Sequence, residues 1–307
     1  MIDFVSFGIV IDDIVLPDGT THVGLLGGGG PQTVWGMAAA LGSGERVGLA
    51  AQVGADFDPD WLQPLHAAGI NLDGVRQTDA PTPRAWQRLD AEGGRTHVWQ
   101  VAPRQSITFG QSIDDVLPES YRDARGFHWG LHPENPALDS ARTLTARGRR
   151  VCLETFKPPE QPLDDVALRD LLTSCHVFSP NWGEAAAITG SSDYAQVIAR
   201  LRERRCRVLA LRRGADGADV WDFSAGWGVR VPAVPVSVVD AVGGGNAFCG
   251  ALLAALDGGI AAAACHAVTA ASYMIEQFGI PLRLPEPAEY AQRFSYAHDR
   301  LVELTSA

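Results

Sequence analysis

The feature that most constrains this chain is the alternation of short apolar runs with helical ones in its second half. From about residue 126, GFHWG reads as a strand, 137–147 as a helix and RVCLET as a strand. A helix over 164–173, a strand at CHVFSP and a helical stretch over 181–204, broken near Gly190, come next. VLALRRG and GADVWDF continue the series as two further strands, and Gly258 to Ala271 reads as a core helix. Repeated alternation of this kind implies an α/β fold with a mostly parallel sheet flanked by helices. Ligands of such sheets sit beyond the carboxyl ends of the strands.

The first half is more mixed. Residues 2–10 form an apolar run that meets Asp12 and Asp13, which predicts one buried strand whose end faces a crevice. IVLPDGTTHVG is a hairpin signal around Pro17-Asp18-Gly19. GGGGPQTVWGMAAALG opens a helix that closes at Gly42, and RVGLAAQVG is a second buried strand. DPDWLQPLHAAGIN is a capped helix. RAWQRLDAEGGRTHVWQV alternates like a two-stranded ribbon about a Glu92-Gly93-Gly94 turn. The hairpin and the ribbon together predict a small sheet apart from the main body, over about 14–24 and 84–101.

Composition narrows the partners. The 307 residues are 46% hydrophobic and 20% charged, with a net charge of −11. Such an acidic chain is not built for nucleic acid or an anionic membrane. The basic stretch Arg200 to Arg207 reads as the exposed face and end of a helix. The N-terminus has no basic region ahead of an apolar core, and no apolar run reaches membrane-spanning length. Cys152, Cys175, Cys206, Cys249 and Cys265 form no CxxC and no His/Cys cluster, so reduced core thiols in a cytoplasmic protein are expected. His22, His97, His128 and His132 show no metal spacing and read as surface or packing residues.

The chemistry concentrates in VVDAVGGGNAFCGALLAAL, residues 238–256. Gly243, Gly244 and Gly245 separate a strand-like run from an Ala/Leu-rich helix. A P-loop is excluded, because neither glycine cluster is followed by its Lys. The dinucleotide fingerprint fails too, since its third glycine is missing. A cradle of backbone N–H groups at a helix start, suited to developing negative charge, is one reading. Tight packing of a helix start against a strand is the other.

The order of motifs resembles the ribokinase or PfkB family of carbohydrate and nucleoside kinases over nearly the whole chain. VDAVGGGNAFCGALL is similar to the family's DTxGAGDxFxGxL signature. The resemblance makes Asp240 the leading Asp and Gly243 to Gly245 the anion hole, and it puts Asn246 where the family has its catalytic base. NWGEAAAITG resembles the NxxE element, which implies that Asn181 and Glu184 organise the magnesium–phosphate region, Glu184 indirectly. LRRGADGADVWD resembles the paired strands beside the nucleotide, with Arg212, Gly214 and Gly217 in place. GGGPQTVWGMAAALG resembles the first signature, with Gly28 and Gly29 beside the acceptor. There Thr33 replaces the family's sugar-holding Asn. Asp12 falls where the family has a substrate-hydroxyl ligand, and Glu154 stands in the sugar strand. Arg84 flanks the ribbon and could grip an anionic substrate. VGADFDPD resembles a further family segment, and the ribbons match the substrate lid.

The resemblance implies one ribokinase-like domain over 1–307 with the lid segments inserted. It also implies ATP, Mg2+ and a monovalent cation as cofactors, a sugar or nucleoside-like acceptor, and phosphotransfer to a hydroxyl. The apolar lid ribbons predict a homodimer. Asn246 leaves three readings open, because an amide orients a hydroxyl but cannot take its proton at neutral pH. The chain is a slow kinase, a kinase in which Asp12 or Asp240 substitutes as base, or a non-catalytic binder of nucleotide or sugar with a regulatory role.

Overall fold

The apolar runs pair as the alternation requires. The computed structural model describes residues 1–91, 95–104 and 106–305. Its strands in the first part of the chain are β1 (Phe4–Phe7), β2 (Val10–Val15), β3 (Thr21–Gly27), β4 (Val47–Val53), β5 (Asn71–Gln77), β6 (Arg84–Leu89) and β7 (Arg95–Val101). The second part supplies β8 (Gly126–Leu131), β9 (Arg150–Thr155), β10 (Val177–Phe178), β11 (Val208–Arg212), β12 (Ala218–Asp222), β13 (Trp227–Val231) and β14 (Val302–Thr305). Ten of them form one sheet in the order β14-β13-β12-β11-β10-β9-β8-β1-β4-β5. Pairing is parallel from β11 through to β5 and antiparallel from β11 to β14.

Strand period two divides the core into two layers. Phe127, Trp129, Val151, Leu153, Leu209 and Leu211 face one apolar cluster. Phe4, Cys152, Val208 and Ala210 face the other, together with the helices Gly29–Leu41, Gly244–Ala255 and Ile260–Met274. The first two of these helices approach very closely. A Cβ on Gly36 would lie 2.2 Å from the Ala247 carbonyl oxygen, and one on Gly250 would lie 2.0 Å from that of Thr33. That contact sets the two glycine-opened helix starts beside each other.

Four strands leave the main sheet and form a second one, in the order β3-β2-β6-β7. Here the expected strand over 2–10 is corrected. Gly8, at φ 85°, breaks the run, so β1 stays in the main sheet while β2 begins at Val10 in the small one. Asp12 therefore sits within a strand of the small sheet, not at the end of β1. The small sheet begins at Val10 and ends its first arm at Gly27, which extends the predicted 14–24 at both ends. The Glu92-Gly93-Gly94 turn lies outside the described residues; on either side of it β6 and β7 pair antiparallel. Leu16 and Thr20 close the Pro17-Asp18-Gly19 turn by a backbone hydrogen bond. β5, β13, β14 and the helix Pro287–His298 were not read from the sequence, and CHVFSP contributes only two strand residues. Among the described residues no helix is long and apolar enough to cross a membrane.

Candidate active site

The helix Gly244–Ala255 starts on Gly243, which caps it in the left-handed region at φ 87°. A side chain there would be strained and would strike Gln32, since an added Cβ would come 2.5 Å from its Cδ. First-turn N–H groups have no helical carbonyl to bond. Gly244 N finds the Ala241 carbonyl at a long 3.4 Å. Over Gly245 lies the Arg212 guanidinium; a Cβ on Gly245 would be 1.8 Å from its Nη1. The Arg212 guanidinium occupies the space a side chain at Gly245 would take, so a larger residue there must push it aside. Gly244 is different: its missing side chain points at Ile275 Cγ2, 2.7 Å from an added Cβ, which is a packing contact.

Arg212 is held from the opposite side. Its Nη2 donates to the Ser179 carbonyl at 2.8 Å and lies 3.1 Å from Glu154 Oε2 and 3.5 Å from Glu184 Oε2. Burial opposes the guanidinium charge, but Glu154 and neighbouring groups outweigh it and raise its pKa. Burial also works against the Glu154 carboxylate, yet Arg212 and His128 hold it below the usual range. Glu184, paired more loosely, is pushed up by its burial. Asn181 and Glu184 form a capping box at the helix Trp182–Thr189, with hydrogen bonds of 2.8 Å in both directions. The NxxE element is thus a helix cap and, through Glu184, a prop for Arg212. Gly214 and Gly217 form the turn after β11. A Cβ on Gly217, at φ 85°, would meet the Val231 carbonyl oxygen at 2.0 Å.

Asn246 faces the other glycine-opened helix. Its Nδ2 lies 2.9 Å from where a Cβ on Gly29 would stand. Gly28 N donates to Asp12 Oδ2 at 3.3 Å, and Gln87 Nε2 donates to Asp12 Oδ1 at 2.8 Å. Asp12 is 2% exposed, and burial raises its pKa to about 6. Asp240 adds to that rise, so the two carboxylates share one region. Asp240 accepts from Val242 N at 2.9 Å, and burial lifts its pKa as well. The structure therefore gathers Asp12, Gly28, Gly29, Asp240, Gly243, Gly244, Gly245, Asn246 and Arg212 at the junction of the two sheets.

Three other predicted acceptor-side residues have partners of their own. Thr33 is fully buried, with its hydroxyl 3.1 Å from His128 Nδ1. Glu154 lies beneath the cradle, engaged with Arg212 and His128. Arg84 stacks its guanidinium over Trp61 at the base of the lid. The small sheet supplies further residues around Asp12, of which the sequence alone reads His22 and His97 as surface or packing residues. Gln87 bridges Asp12 and the Nδ1 of His97, which burial holds neutral with a pKa near 4. Arg95 lowers the pKa of both Asp12 and Asp240 by its charge. His22 of β3 stacks on Phe278 at 3.6 Å between ring centroids, clasping the lid to the main body. Their only sequence signal was alternation along the ribbon, which assigns faces but not partners.

The expectation that the chain holds no His/Cys cluster is also corrected. His128 and Cys152 are register partners on the parallel strands β8 and β9, and Cys249 comes down on them from the cradle helix. Their ligand atoms lie within 4.8 Å of one another. All five cysteines are free and buried, as expected.

Residues 1–286 match the pfkB family of carbohydrate kinases. The chain is 30% identical over 259 residues to a cytidine kinase of Thermococcus kodakarensis, covering 83% of this chain and 88% of that protein. It is 23% identical over 268 residues to a nucleoside kinase of Methanothermobacter thermautotrophicus, covering 84% and 82%. The fold superposes on an Arabidopsis thaliana ribokinase complexed with ribose and ATP, at a TM-score of 0.73 and 20% identity, over 96% and 99% of the two chains. The chain belongs to the pfkB carbohydrate kinase family, a class of phosphotransferases on a ribokinase-like fold.

Proposed function

We propose that this kinase transfers the terminal phosphoryl group of ATP to a hydroxyl of a nucleoside or a related sugar, slowly, because Asn246 occupies the base position. The observation that carries this reading is the junction itself. The Asn246 amide lies against Gly29, one residue from the amide that holds Asp12, and the Arg212 guanidinium lies against Gly245. The similarity to a cytidine kinase favours a nucleoside acceptor.

Each group has a physical task. Asp12 and Asp240 would hold acceptor hydroxyls, with Arg95 and Gln87 limiting their mutual repulsion. The first-turn N–H groups of the cradle helix and Arg212 would stabilise charge on the transferring phosphoryl group. Asn246 Oδ1 would accept a hydrogen bond from the attacking hydroxyl and orient it. In a loose transition state, positioning and charge stabilisation carry most of the rate, so turnover survives without a strong base. Magnesium would neutralise phosphate charge. Glu184 Oε2 already takes Asn181 N and Arg212, so it fits a water-bridged role and not direct ligation.

A regulatory binder without turnover is the second reading, and Asn246 is what favours it. Incubation with Mg-ATP and a panel of nucleosides and sugars separates the two. ADP release above the acceptor-free background supports the kinase. Thermal stabilisation by the same ligands without ADP supports the binder. A homodimer through the lid belongs to the proposal. Trp86 and Val98, 45% and 37% exposed, are cross-strand neighbours on its outer face. Light scattering showing only monomer at micromolar concentrations would contradict it.

A further inference from the structure

Beneath the cradle lies a set of soft ligands that the phosphotransfer reading does not use. His128, Cys152 and Cys249 are all 0% exposed. Their ligand atoms lie within 4.8 Å of one another. Glu154 Oε2 is 3.7 Å from Cys249 Sγ, and Glu154 Oε1 is 3.3 Å from His128 Nε2.

The hydroxyls around His128 decide which ring nitrogen is free. Ser6 Oγ donates its one proton to the His128 carbonyl oxygen at 3.0 Å. It can therefore only accept from Nδ1, which lies 3.2 Å away. Thr33 Oγ1 stands on the same nitrogen at 3.1 Å. When a metal ion takes the neutral ring, the accepting Ser6 hydroxyl favours the proton on Nδ1 and leaves the Nε2 lone pair for the ion. Nε2 is fully buried and faces the Glu154 carboxylate at 3.3 Å and the two thiols. A hydroxyl that fixes the imidazole tautomer through its other nitrogen is the usual support of a metal-ligating histidine.

We propose that His128 Nε2, Cys152 Sγ and Cys249 Sγ bind a structural zinc ion, with the Glu154 carboxylate as the fourth ligand. Two thiolates and an imidazole are soft and borderline donors, which select zinc over magnesium or calcium. With Zn–S near 2.3 Å, tetrahedral geometry sets the two sulfurs about 3.8 Å apart. Ligand atoms now within 4.8 Å need contract by only about 1 Å. Charge also balances: two thiolates offset the dication, and Arg212 offsets Glu154, 3.1 Å away. Binding releases the two thiol protons to solvent. The ligands come from β8, β9 and the helix Gly244–Ala255, so the ion would pin the anion-cradle helix to the parallel sheet.

Metal content tests this directly. The wild type, purified without chelators from zinc-replete medium, should carry about one zinc per chain by plasma mass spectrometry. Cys152→Ala should lose it, while Cys265→Ala, a buried cysteine outside the cluster, should keep it. Cys152→Ala could fail to fold, so wild type refolded with cobalt(II) provides a second measurement. It should show thiolate-to-cobalt charge-transfer absorption, which zinc abolishes on exchange. Wild type that retains neither zinc nor cobalt after gel filtration would overturn the proposal. So would metal unchanged in a folded Cys152→Ala variant. An intact mass lighter by the two hydrogens of a Cys152–Cys249 disulfide would overturn it as well.

Discussion

The two halves of the site are built by different means. In the proposed site the phosphate half stands on the main sheet, where close contacts dictate its glycines. Gly243 carries a positive φ against Gln32, and Gly245 makes room for Arg212. The acceptor half hangs on lid strands, and side chains dictate it: Asp12 and Gln87 bond each other, and His97 bonds Gln87. At Gly243 a side chain would be strained by the positive φ and would strike Gln32, whereas at Gly245 a Cβ meets only the movable end of Arg212. The lid half is free to vary its chemistry, because a strand residue can change without moving its neighbours' backbone.

Breaking the cradle should give the largest effect. Arg212→Met leaves Glu154 and Glu184 buried without their cation, which should cost about 3–5 kcal/mol of stability. Denaturant unfolding measures it. Arg212→Lys keeps a charge but loses the planar fork, and turnover should fall roughly a hundredfold in a folded protein. Undiminished ADP release by Arg212→Lys would remove Arg212 from the phosphate half.

The acceptor half should respond in affinity. Asp12→Asn removes an ionised hydrogen-bond acceptor, and kcat/KM for the acceptor should drop about ten- to a hundredfold with KM for ATP unchanged. The same residue predicts a pH effect on stability. Its folded pKa of about 6 lies above the ordinary 3.8, so the folded state holds the proton more tightly. Stability from this group is greatest below pH 3.8 and falls as pH rises to about 6, by roughly 3 kcal/mol in all. Asp12→Asn should flatten that part of the unfolding profile. An unaltered profile would mean that Asp12 titrates normally.

The smallest effect should come from Gly245→Ala. Its methyl must push the Arg212 Nη1 aside while the Nη2 anchors hold. ATP affinity should weaken about tenfold, with the acceptor KM untouched. A weakened acceptor KM would show that the two halves are not separable.

Legibility in the sequence followed the same division. The parallel sheet was readable from β8 onward, because strands buried on both faces are short apolar runs between helices. The glycine triplet alone left a cradle and a packing contact open, and only the family resemblance made it an anion hole; the structure shows close approaches at Gly243, Gly244 and Gly245. Asp12 owes its proposed role to the family resemblance, and the apolar run alone puts it on the wrong strand. Gly8 looks like any strand glycine until its positive φ is seen to move the chain between sheets. Thr33 was placed by spacing on the acceptor, yet helix rotation turns its hydroxyl onto His128. The His128–Cys152 neighbourhood is a register fact between parallel strands 24 residues apart, which no local spacing displays.

The most direct measurement compares ADP release by wild type and Asn246→Asp over the same acceptor panel. The two side chains are nearly equal in volume, and the helix start favours a carboxylate there. Stability should hardly change. If Asn246 is the deficient member of a preserved cradle, the variant should turn over about 10²- to 10⁴-fold faster with the acceptor that wild type prefers. A wild type as fast as its Asp variant, or faster, would contradict the account. Asn246 would then not mark a missing base, and the site would run on a proton acceptor other than the one its glycines imply.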